Sequence, residues 1–336
     1  MSSLLTDGVR AALGTVVSYT APEPLSRASI RYFATAIGAD PDRWRDEAPP
    51  TLICETAQLT GRSAPDGSFY LGHTWELPLP VPCAMFRGGN DYRFWRAARP
   101  DDVIHTTWRL TDVVERRDSA GDPLLFVTAE ATYRAGGAVG EGDLIATNTE
   151  TMIYRPRDRA ETSQVSADGP GSGSDPTDTE DASEAAAQAA GLGIAPQATV
   201  ERPAVERPDV GTNLAPLVRR IGLPDMVAYG AATWDWHRLH YDPAFAQRAG
   251  AAAPLVDGQM LGALLGEQVL RFAGSHARLA RLVYRNRAPV LAGQTVVCSG
   301  TVATADDAGF SVDLSVSVGD NAVVAPAFAQ LVWASG

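Results

Sequence analysis

Apolar and polar positions along this chain follow two rhythms, and each rhythm occurs in both halves. Early in the chain Ile30, Phe33, Ala34 and Ile37 stand at helical spacing behind Ser26, a residue suited to cap a helix start, and Gly38 with Asp40-Pro41 ends the run. The rhythm then becomes strand-like over Thr106–Val114, Leu124–Tyr133 and Leu144–Tyr154. In the second of these Leu125, Val127, Ala129 and Ala131 alternate with period two, and the turn-forming stretches 118–121 and 135–137 separate the strands. The second half repeats the order. A helix is predicted over Pro224–Thr233, and a short one from Asp242-Pro243 to Gly250. A long one follows from Gly258 to about Phe272, apolar at Met260, Leu261, Leu264, Leu265, Val269, Leu270 and Phe272. Strand patterns over Thr295–Val302, Gly309–Val318 and Ala322–Trp333 close the chain.

The halves also align locally: 33–40 lies over 229–236, which sets Asp235 on Ala39 and His240 on Trp44. Between them, residues 157–212 are rich in Ser, Gly, Asp, Glu, Ala and Pro and too poor in large apolar side chains to fold, although Glu184–Ala190 has some helical propensity. Residues 1 to about 20 read as a weakly patterned arm. The alternate prolines of Glu76–Pro82 exclude a helix, so that stretch is extended. The expected organisation is a supporting N-terminal domain (1–156), a disordered acidic linker (157–212) and a catalytic C-terminal domain (213–336). The fold class is α+β, with two antiparallel sheets each packed on helix.

Composition narrows the function. A chain of 336 residues with 45% hydrophobic and 20% charged residues is ordinary for globular domains. The net charge of −12 is concentrated: seven acids and no Lys or Arg lie between residues 160 and 191, and −5 remains without them. No basic patch supports nucleic-acid binding. Cys54, Cys83 and Cys298 form no framework or metal-binding motif, which fits a reducing cytoplasm. The start lacks the basic region of a secretory signal, and the most apolar stretch, 251–270, is broken by Asp257, Gln259 and Glu267, so neither export nor membrane insertion is expected.

The chemistry concentrates in Trp234–Asp242, which carries two of the five histidines. In a continuous helix Asp235 and His240 would lie about 140° apart. A bend between two helices would bring them together to hold one water. Polar residues at a helix end also serve simply as caps, and the stretch admits both readings. Downstream, Gly258 opens the long helix, whose first N–H groups lack internal partners and carry the positive dipole end. Such an N–H can hold a thioester oxygen as it gains charge; equally, Asp257 can be an N-cap and Gly258 a joint.

These residues together resemble the MaoC-like (R)-specific enoyl-CoA hydratases of the hot-dog fold. The resemblance runs through 234–246, Pro254–Gly258 and the segment 284–293, taken as the central strand and its turn. It covers most of the C-terminal half and, more loosely, the N-terminal half through 30–39, 48–51 and 99–102. It implies a double hot-dog fold and reversible syn hydration of trans-2-enoyl thioesters, or dehydration of (R)-3-hydroxyacyl thioesters, carried by coenzyme A or acyl carrier protein. Asp235 and His240 would activate water and the Gly258 N–H would hold the thioester oxygen, with no metal or redox cofactor. A homodimer, or a pseudo-dimer of the two halves, is implied as well.

The chain departs from the family pattern at Trp234, at His237-Arg238 and at Asp257, where the family has Gly, Asn-Pro and His. His237 could then bind substrate, orient Asp235 or simply face solvent. Arg285 and Arg287 alternate along a strand and could meet coenzyme A phosphates. His73, His105 and His276 are expected to be structural, and the motif tryptophans to pack. A short-helixed N-terminal half would leave room for a long or bulky acyl group. The alternatives are a hot-dog acyl-thioesterase and a non-catalytic acyl-thioester-binding subunit of a larger complex.

Overall fold

The computed structural model describes residues 3–56, 73–157 and 207–334. The N-terminal half comprises α1 (Asp7–Ala11), β1 (Val16–Thr20), α2 (Arg27–Ala36), α3 (Leu52–Glu55), β2 (Cys83–Phe94), β3 (Ile104–Arg117), β4 (Pro123–Ala135) and β5 (Asp143–Pro156). The C-terminal half comprises β6 (Leu217–Arg220), α4 (Leu223–Thr233), a single 3₁₀ turn (Arg238–His240), α5 (Pro243–Arg248), α6 (Gly258–Ala273), β7 (Ala277–Asn286), β8 (Thr295–Ala305), β9 (Gly309–Val318) and β10 (Asn321–Trp333).

The sheet order is β1-β3-β4-β5-β2-β7-β10-β9-β8-β6. Read inward from either end, the two halves have the same order, so they are related as the copies of a dimer would be. The expected pair of separate sheets is instead one antiparallel sheet. β2 and β7 meet edge to edge, from Gly89 opposite Arg285 to Arg93 opposite Arg281. Pairing these strands satisfies backbone groups that two separate domains would leave exposed. Near such an axis, equivalent residues meet each other. Phe33 and Tyr229, placed on one another by the sequence alignment, pack with ring centroids 5.9 Å apart between α2 and α4.

Helix α6 organises the core. It is buried on almost every side, from Gln259 through Leu270 and again at Ala273, its polar Gln259, Glu267 and Gln268 included. Nε2 of its buried Gln268 donates to the carbonyls of Ala215 and Cys298 at 3.0 and 2.9 Å. Gly262 is where the Tyr284 ring of β7 passes: a Cβ there would overlap the ring. The N-terminal arm is more ordered than its patterning predicts. Thr6 caps α1 by accepting from the N–H of Val9, and β1 adds an edge strand to β3. Leu4 and Val9 close a second, smaller core with Leu110, Val113, Leu125, Val127 and Tyr154. Leu77 and Leu79 of the proline-rich stretch pack against it, without helix or strand.

Beyond α1 and β1 of the arm, the sequence pattern did not disclose α3, β2 or β6. β2 carries Asn90, Asp91 and the bulge at Gly88-Gly89, which break the alternation. Residues 158–206, most of the expected linker, and residues 57–72 lie outside the described residues. So do the Ala-rich patch 184–190 and much of the segment on which room for a bulky acyl group depends. Arg207 and its neighbours, at the end of the expected linker, already belong to the fold: Gly211 donates to the Val302 carbonyl at 2.8 Å. No helix among the described residues is long and apolar enough to cross a membrane.

Candidate active site

The segment after α4 bends. Gly230 lets the backbone fold back so closely that a Cβ there would lie 2.7 Å from the Asp235 carbonyl oxygen. Trp234 takes a left-handed conformation at φ 61°, and the N–H of Asp235 closes the turn onto the Gly230 carbonyl at 2.9 Å. Asp235 thereby leaves the helix. Its Oδ1 accepts the N–H of His237 at 2.9 Å, and His237 Nδ1 accepts the N–H of Leu239 at 3.2 Å, which starts the 3₁₀ turn. Asp242 then caps α5 by accepting from Phe245 at 2.9 Å and pairs with Arg238 at 2.6 Å. The Arg238 guanidinium lies over the Phe245 ring, so this arginine braces the turn.

The bend brings the separated residues together. The donor atoms of Asp235, His240 and Asp257 all lie within 4.8 Å of one another. Nδ1 of His240 lies 2.7 Å from the Leu255 carbonyl. A carbonyl only accepts, so Nδ1 carries the hydrogen, and Nε2 is the ring nitrogen left to exchange a proton. Burial pushes the Asp235 carboxyl above its ordinary range; His240 pulls it back, and Asp257 adds to the rise. His237 is pushed down to about 4, by burial first and then by His240 and Arg157, so it is neutral at pH 7.

Asp257 caps α6, its Oδ1 accepting from Gln259 at 2.9 Å. Gly258 is the first residue of α6, so its N–H has no acceptor within the helix. The approach is close: a Cβ would stand 2.5 Å from Nδ2 of Asn286 and would displace that amide. Arg285 and Arg287, expected to share a face toward a ligand, are both exposed. Arg287 lies beyond the end of β7 and its Nε bonds the Ala325 carbonyl, so strand alternation does not govern it. The residue between them, Asn286, is the one that reaches Gly258.

Three residues near the site escaped sequence reasoning in this role. Asp257 reads as a cap and is one, yet its carboxyl also reaches the pair. Asn286 lies between two more conspicuous arginines. Glu55 comes from α3 of the other half and accepts from the Tyr229 hydroxyl at 2.7 Å. Burial holds its carboxyl well above the usual range, an effect opposed by Tyr229. Thr56 beside it donates to the last carbonyl of α4, that of Thr233, at 3.1 Å. The N-terminal half thus buttresses the site, and only pairing of the halves places Glu55 there. His73 and His105 bond to Tyr19 at 2.9 Å and Thr20 at 3.0 Å, in structural positions. Trp234 and Trp236 contact each other edge to face, although Trp234 is 44% exposed.

No family model matches the chain, and no curated protein matches it in sequence. Solved structures do. One described as a MaoC-like dehydratase aligns over 97% of this chain and 100% of its own, with TM-score 0.65 at 16% identity. A MaoC-like dehydratase from Phytophthora capsici covers 97% of this chain and 98% of its own, with TM-score 0.61 at 12% identity. A Mycobacterium tuberculosis protein described as having a double hotdog fold covers 96% of each chain, with TM-score 0.56 at 16% identity. The chain therefore has the double hot-dog fold, as its sequence resemblance implied.

Proposed function

We propose that this double hot-dog protein, which shares the fold of MaoC-like dehydratases, is a hydro-lyase of that family. Its reaction would be reversible syn addition of water to trans-2-enoyl thioesters, or dehydration of (R)-3-hydroxyacyl thioesters, carried by coenzyme A or acyl carrier protein. The observation that carries the reading is the convergence of Asp235 and His240 beside the free N–H of Gly258. Nε2 of His240 takes a proton from water held between it and Asp235, a role worth ~10²–10⁴ in rate for a positioned base. The Gly258 N–H and the positive end of α6 stabilise the oxygen of the thioester as the double bond is attacked. The carboxyl–imidazole site returns a proton to the α-carbon. This chemistry needs no metal or redox cofactor. His237 lines the same turn as a neutral donor through Nε2, suited to a substrate oxygen, and the N-terminal half supports the site.

The test is direct. Crotonyl-CoA and longer enoyl-CoAs lose their conjugated absorbance on hydration, and Asp235→Asn should slow this at least a hundredfold. Equal rates in both proteins would remove the role given to Asp235. Release of free thiol without hydration would identify a thioesterase, and binding without either reaction a non-catalytic acyl-thioester-binding subunit.

A further inference from the structure

We propose that Asp235 and Asp257 share one proton beside His240, so that the carboxyl pair protonates the substrate α-carbon while His240 alone deprotonates water. The proposal rests on the hydratase reading above and divides its proton transfers between named groups.

The geometry carries it. Each carboxyl has one oxygen held by a backbone N–H, Asp235 by His237 and Asp257 by Gln259, both at 2.9 Å. Neither second oxygen is engaged by a hydrogen bond within the described residues, and the donor atoms of both acids lie within 4.8 Å of each other and of His240. Two carboxylates this close do not both ionise readily with a single imidazole beside them. Among the described residues the nearby arginines do not replace that missing charge: Arg157 acts on His237 and is not among the groups acting on Asp235. Arg87 of β2 acts on Asp235 but is paired with Glu150. His237 is neutral, Glu55 of α3 adds a further acid, and Tyr229 and Tyr284 are buried phenols.

Asp257 immediately precedes Gly258. A thioester oxygen about 3 Å from the Gly258 N–H has its α-carbon two bonds away, next to this pair. The step then balances. An O–H bond of water breaks, its proton goes to Nε2 of His240, and its oxygen bonds to the β-carbon. The π electrons move onto the thioester oxygen as an enolate. The enolate takes the shared proton onto the α-carbon, and the imidazolium proton passes to the emptied pair. One water is added and the site is restored.

Asp257→Asn tests the idea, because asparagine keeps the cap on Gln259 and removes the charge. The pH dependence of kcat/KM for enoyl-CoA hydration is compared in the two proteins. Both limbs should move to lower pH, the alkaline limb by about one unit or more, since loss of the neighbouring charge weakens proton binding by the rest of the site. A profile superimposable on wild type overturns the proposal. Infrared difference spectra at neutral pH give a second reading that needs no turnover. The carbonyl band of one protonated carboxylic acid should vanish in both Asp235→Asn and Asp257→Asn, above the unchanged contribution of Glu55. A band unchanged in either variant overturns the shared proton. Failure of wild type to hydrate any thioester would overturn the hydratase reading instead, leaving the infrared result to decide the proton.

Discussion

Asp235→Asn should cost activity and add stability. Asp235 is 9% exposed, and burial holds its carboxyl above the ordinary range. The folded protein therefore binds this proton more tightly than the unfolded chain does. Stability is unaffected below the unfolded value. As pH rises from there to the folded value, it falls by about 1.4 kcal/mol for each pH unit, and the full penalty persists at higher pH. Asparagine has nearly the same shape, carries no charge, and its Oδ1 can still accept from His237, so the turn survives. Its melting temperature should exceed that of wild type at pH 8 and approach it at pH 4. Hydration should fall by ~10²–10⁴, or about 3–5 kcal/mol of transition-state stabilisation. Thermal melts at both pH values and enoyl-CoA absorbance assays measure the two effects. A variant that melts below wild type at pH 8, or turns over within threefold of it, would refute the reasoning that this carboxylate is held at a cost for chemistry.

Gly258→Ala places a methyl group 2.5 Å from the Asn286 amide. That amide can swing away, losing only its 3.3 Å bond to the Arg87 carbonyl, so the melting temperature should hardly move. kcat/KM should drop by ~10²–10³ as the oxyanion donor becomes obstructed. Gly262→Ala, one turn along the same helix, should do the reverse. Its Cβ meets the ring of Tyr284, which is fully buried, and overpacking of this kind destabilises by ~1–3 kcal/mol in denaturant unfolding. For His237, pushed down to about 4, the unfolded chain takes up a proton first as pH falls. Stability should decline between about pH 6.5 and pH 4, by up to about 3 kcal/mol, and His237→Gln should flatten that part of the profile.

Much of the architecture was legible because it is written in local periodicity. Ser26 as a cap, the period-two run of β4 and the apolar positions recurring along α6 each specify an element through its nearest neighbours. Asp235, His240 and Gly258 were legible as a motif for the same reason: their spacing survives in sequence even before the bend is seen. The bend itself was only an expectation. It depends on the close approach at Gly230 and the left-handed Trp234, and sequence alone left the segment equally readable as a cap.

Tertiary structure decided what distance along the chain conceals. Strand β2 hides its pairing behind polar residues and a bulge, and only its junction with β7 turns two expected sheets into one. Glu55 reaches the site from 180 residues before Asp235 because the halves pack about an axis, bringing Phe33 against Tyr229. Arg285 and Arg287 alternate in the sequence, but Arg287 lies beyond β7, and the residue between them, Asn286, is the one that reaches Gly258. Asp257 shows the division most clearly. Its sequence position determines that it caps α6, since an N-cap is a matter of backbone within a few residues. That the same carboxyl also stands beside Asp235 and His240 depends on where a bend and a helix end meet in space, which no local pattern encodes.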